Sequence, residues 1–116
     1  MSSPPLAPDD GPIDFEHLSR MTLGDPALEC EVLTMFVAQS AKLLDQLATL
    51  PAEAGALAHT LKGSARAIGA AHVARAAEAV EFVRAASDVD IRRALSGLAA
   101  AIEEARAFIA DLLRAH

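Results

Sequence analysis

The chain has 116 residues, enough for one domain around one core, and it is 53% hydrophobic but only 3% aromatic, a composition that suits close-packed helices of Leu, Ile, Val and Ala. Its net charge of −6 argues against a nucleic-acid binder, which needs a basic face, and its single cysteine, Cys30, excludes an internal disulfide framework or a multi-cysteine metal site. No apolar run reaches the length of a membrane span, and the first residues are proline-rich and acidic, unlike a signal peptide; a soluble cytoplasmic protein is expected.

Residues 1–12 carry four of the six prolines and read as a flexible tail, leaving 13–116 as the folded unit. A short first helix is expected from Asp14, a good N-cap, with Phe15, Leu18 and Met21 on one face. Gly24 suits its left-handed end. Asp25-Pro26 restarts the chain as N-cap and first helical residue. The second helix then runs to about Leu50, with Val32, Phe36, Leu43, Leu47 and Leu50 recurring at helical spacing. Pro51 breaks it and can open the third helix, whose buried stripe is Leu57, Leu61, Ala65 and Ile68 and which ends at Gly69. A fourth helix buries Val73, Ala76, Ala77, Val80 and Val83. Ser87 or Asp88 caps the last, in which Ile91, Leu95, Leu98, Ile102, Ala105, Ile109 and Leu112 form a seam for a nearly antiparallel partner. These signals predict an all-α protein, an up-down four-helix bundle with a short additional N-terminal helix as a lid.

Charge is unevenly spread. From Met1 to Glu53 nine acids face two bases, whereas Ala54 to Ala77 contains no acid and holds Lys62, Arg66 and Arg75. That basic stretch is a place to hold an anion. Within it, residues three, four and seven apart share a helix face, so His59, Lys62, Gly63 and Arg66 line up outside the apolar stripe. A neutral imidazole is a nucleophile, and the two cations would attract a phosphoryl group. Gly63 costs a helix roughly 1 kcal/mol relative to alanine, which points to close approach of another molecule, although a neighbouring helix of the bundle would account for it too.

The segment His59-Thr60-Leu61-Lys62-Gly63-Ser64, followed by Gly69, resembles the signature of histidine-containing phosphotransfer (HPt) domains. The layout is similar from about Asp14 to Leu113, including Phe36 in the second helix, an Ala-rich helix ending Ala77-Glu78 and a long last helix. The resemblance implies that His59 accepts the phosphoryl group and Lys62 stabilises it. It implies that Gly63 leaves room for a docking partner, Ser64 helps to orient the site and Gly69 lets the chain reverse. Arg66 stands at a variable position, and its role is an electrostatic inference alone. Expected partners are a response-regulator receiver domain and a hybrid sensor histidine kinase. No cofactor or metal is expected on this chain, which would act as a monomeric carrier rather than an enzyme, with magnesium on the receiver.

Two other readings are weaker. A kinase dimerisation hairpin usually has an acidic residue directly after its histidine, where Thr60 stands here. An adaptor bundle would more typically have lost the histidine. His17, His72 and His116 are expected at the surface or at a cap, a metal site joining His59 and His72 is not expected, and Cys30 reads as structural.

Overall fold

The computed structural model describes residues 11–83 and 87–115; residues 1–10 of the flexible tail expected at 1–12, and His116, lie outside them. Five helices form: α1 (Phe15–Thr22), α2 (Pro26–Ala48), α3 (Ala54–Ile68), α4 (Ala71–Val83) and α5 (Asp88–Ala115), with no strand among the described residues. Helices α2 to α5 close a ring in which each packs on two others, α2 meeting α3 and α5, and α4 meeting α3 and α5. Helix α1 lies across α2 and α3.

The helix starts follow local chemistry. Asp14 caps α1 by accepting from the amide of His17, and Asp25 caps α2 by accepting from the amides of Ala27 and Leu28, with Pro26 in the first turn. Ser87 is the cap of α5: its hydroxyl accepts from the amide of Asp90, and Asp88 falls inside the first turn.

Other expectations shift. The buried face of α1 is Leu18 and Thr22, while Phe15 and Met21 are about half exposed. Phe15 instead packs against Phe108 of α5, ring centroids 5.7 Å apart. Helix α2 buries Leu33, Phe36, Ser40, Leu43 and Leu47, a stripe one residue round from Val32, which is only partly buried. It ends at Ala48, short of Leu50. Leu50 takes a left-handed conformation, φ +52°, which turns the chain back. Pro51 therefore does not open α3: it lies in a turn whose carbonyl accepts from the amide of Ala54, and α3 starts there. In α4, Ala74 is buried more deeply than Ala76.

Between α3 and α4 the packed side chains are small: Ala58, Ala65, Ala74 and Ala77 are all buried. Alanine at a helix contact lets two axes approach closely. That approach brings side chains on the outer edges of α3 and α4 within reach of each other. At the far end of α3, Gly69 adopts φ +84° as the C-cap, and its carbonyl accepts from the amide of Asp14 at 2.8 Å. A methyl group at Gly69 would lie 2.9 Å from the carbonyl oxygen of Asp14, so glycine is required there by conformation and by space.

Candidate functional site

His59 lies in the second turn of α3, its side chain 70% exposed. The helix turns it away from Ala58 and Leu61, which are fully buried, and toward the edge of α4. There its Nδ1–H donates to Oε2 of Glu81 at 3.0 Å. With that proton engaged, the lone pair lies on Nε2 at the other side of the ring. The tautomer that suits a nucleophile pointing to solvent is thus fixed by a carboxylate from the neighbouring helix.

Lys62 is one turn along α3, with only 14% of its side chain exposed, and its ammonium lies 2.7 Å from Oε1 of Glu81. Glu81 therefore binds both groups at once, one through each oxygen. The bonded Lys62 holds the Glu81 carboxyl below its ordinary value of 4.5, against the opposing pull of partial burial; His59 adds to the lowering.

Gly63 is exposed beside this trio. A methyl group built there meets nothing within 4 Å. Space inside the bundle therefore does not explain the glycine, and the option of a closely packed neighbouring helix falls away.

Arg66 and Ser64 lie apart from His59. Arg66 pairs with Glu78 of α4 at 3.6 Å and lines a cavity of about 260 Å³ with Asp14, His17 and Arg75, towards the end of α3. Ser64 lies on the opposite edge of α3 from Glu81. With Val32, Met35, Phe36, Gln39, Ala67 and Ile68 it lines an apolar groove of about 420 Å³ between α2 and α3. Met35 projects from that groove, 64% exposed.

His17 and His72 are more engaged than their sequence positions imply. His17 is half-buried and donates through Nε2 to the carbonyl of Ala67 at 3.0 Å, tying α1 to the last turn of α3. His72 is half-buried and bonds through Nδ1 to Glu104 of α5 at 2.8 Å, joining two helices rather than capping one. Cys30 is half-buried with a free thiol.

Glu81 is the residue that reading along the chain missed. A signal was present: Glu78 and Glu81 are the first acids after the acid-free stretch, three residues apart on the next helix, where they share a face.

No curated protein and no solved structure matches the chain. A family model described as Hpt domain matches residues 31–108, which run from within α2 to within α5 and include His59, Lys62, Gly63 and Glu81. With an exposed helical histidine, a cation beside it and that match over more than half of its length, the chain belongs to the Hpt domain family, whose members are phosphoryl carriers in phosphorelays.

Proposed function

We propose that His59 is the phosphoryl acceptor of this carrier. It receives the group from a phosphoaspartate on a receiver domain, or from an upstream hybrid sensor histidine kinase, and passes it to a response regulator. The observation that carries the reading is the pairing of His59 Nδ1 with Glu81 at 3.0 Å, which leaves an exposed Nε2 lone pair beside Lys62. In the transfer, Nε2 attacks phosphorus in line, the N–P bond forms, and the aspartyl O–P bond breaks with its electron pair going to the carboxylate. Such chemistry depends mainly on positioning and charge stabilisation. Magnesium and most of the catalytic groups belong to the receiver, and this chain acts without a cofactor of its own.

The receiver docks over His59 and Gly63 and along the groove between α2 and α3, where Met35, Ala67 and Ile68 offer apolar contact. Ser64 contributes to that surface rather than to the imidazole. Arg66, neutralised by Glu78, has at most a long-range electrostatic part. The short connections and the closed contact ring support an up-down bundle that functions as a monomer. No helix among the described residues is long and apolar enough to cross a membrane, which is compatible with a cytoplasmic site of action.

The test uses a purified phosphorylated receiver domain with the wild type and His59→Gln. Acid-labile, base-stable phosphate is expected on the wild type and absent from the variant. Equal labelling of the variant, or no transfer from several receivers, would sink the assignment.

A further inference from the structure

A carrier must also release what it accepts, and the carboxylate beside His59 bears on that second step. On accepting a phosphoryl group at Nε2, the ring keeps its proton at Nδ1 and gains one positive charge, shared over the imidazolium. In the outgoing step an acceptor carboxylate attacks phosphorus, the N–P bond breaks, and its electron pair returns to Nε2. If Nδ1 still holds its proton, the leaving group is neutral imidazole. If that proton has gone, the leaving group is an imidazolate, a far stronger base and a far poorer leaving group.

We infer that Glu81 is a positioning residue for release: by holding the Nδ1 proton on the phosphorylated ring it keeps His59 a ready donor, while Lys62 draws on the same carboxylate and limits that hold. The inference rests on His59 being the acceptor. It follows from the division of Glu81, whose Oε2 meets Nδ1 at 3.0 Å while Oε1 meets the Lys62 ammonium at 2.7 Å. A carboxylate at that distance favours the protonated ring by direct attraction, and an ammonium on the same carboxylate weakens the effect. Among the described residues, the other charged groups on these two helix edges are Arg66, Glu78 and Arg75: Arg66 and Glu78 engage each other further along α3, and Arg75 lines the cavity beside Arg66. Among the described residues, α1, α2 and α5 contribute no hydrogen bond or ion pair to His59.

The test avoids any partner protein. Full-length wild type, Glu81→Gln and Lys62→Met are charged with phosphoramidate, and the site is located by loss of labelling in His59→Gln. The first-order loss of phosphate is then followed from pH 5 to pH 10. In the wild type the rate falls as the ring proton is lost. In Glu81→Gln that fall is expected about one pH unit lower, which makes phosphate loss about tenfold slower at a pH above both midpoints. In Lys62→Met the fall is expected at higher pH. The opposite signs separate the proposal from general damage to the helix pair, which would move both variants the same way.

Coincident profiles, or variants shifting in the same direction, overturn the inference. Absence of label at His59 overturns it also, because an exposed Nε2 is its premise. Failure of the carrier reading looks different: charged protein with the expected pH profiles that hands nothing to any receiver.

Discussion

At Gly63 the added methyl of an alanine would stand in open solvent. Gly63→Ala should therefore raise stability in thermal or urea unfolding by up to about 1 kcal/mol, the ordinary gain of alanine over glycine inside a helix. The same variant should transfer phosphate more slowly with a receiver, because the methyl intrudes on the surface that the partner covers. Slower transfer in a protein of undiminished stability separates a docking role from a folding one. Glu81 makes a prediction in pH. Its carboxyl is held below 4.5, chiefly by Lys62, so its interactions stabilise the fold above that value and are lost as pH falls through the lowered one. Carbon-detected NMR titration should find Glu81 half-protonated below 4.5 in the wild type and closer to it in Lys62→Met. The grouping of His59, Lys62 and Gly63 was legible in the sequence because helical periodicity alone gathers neighbours on one turn. Glu81 was not, since it lies 22 residues from His59 and arrives only through the packing of α3 on α4.

Helix ends distinguish two glycines that look alike in the sequence. Gly69, at φ +84° and with the Asp14 carbonyl 2.9 Å from any added methyl, holds the junction of α3 with α1. Gly97 lies within α5 with nothing within 4 Å of an added methyl. Gly69→Ala should lower stability by about 2 kcal/mol through left-handed strain and displacement of Asp14, and Gly97→Ala should raise it by about 1 kcal/mol. Equilibrium urea unfolding of the two variants checks both signs. The caps at Asp14, Asp25 and Ser87 follow directly from residue type. The end of α2 did not, because proline at 51 reads equally as a breaker or as a first helical residue. The left-handed turn at Leu50 decides between them, and leucine gives no local sign that it will adopt one. The stripe of α2 was misjudged at Val32 for a related reason: with Val32 and Leu33 adjacent, periodicity allows either, and contact with the other helices selects Leu33.

Across the whole molecule, the helix number, their order and the composition of the core were all readable, whereas the partners of α1 were not. Phe15 and Met21 look like core residues by spacing, yet α1 is too short to bury a full stripe and sinks Leu18 and Thr22 instead. Among the exposed large apolar residues, Met35 is the one that lines the groove between α2 and α3, with Ser64 and Ala67 of α3. Met35→Glu should leave the unfolding free energy within about 0.5 kcal/mol, as expected for an exposed position. It should slow phosphoryl transfer to a receiver several-fold without slowing the loss of phosphate in the absence of one. Measuring both rates on one preparation isolates docking from chemistry.

The contact between Phe15 and Phe108, together with the bond between Asp14 and Gly69, sets the beginning of α1 and the last turns of α5 at one pole of the bundle. His59 stands near the opposite pole, where Asp88 and Ile91 of α5 lie against Leu50 and Ala54. The ten helical steps from His59 to the C-cap Gly69 put about 15 Å between the imidazole and that first pole. Residues 11 and 115, the first and last described, therefore belong to the side away from the histidine. A fluorescent protein, an affinity handle or a sensor-chip linker joined directly at residue 11 or residue 115 should leave the reactive face open.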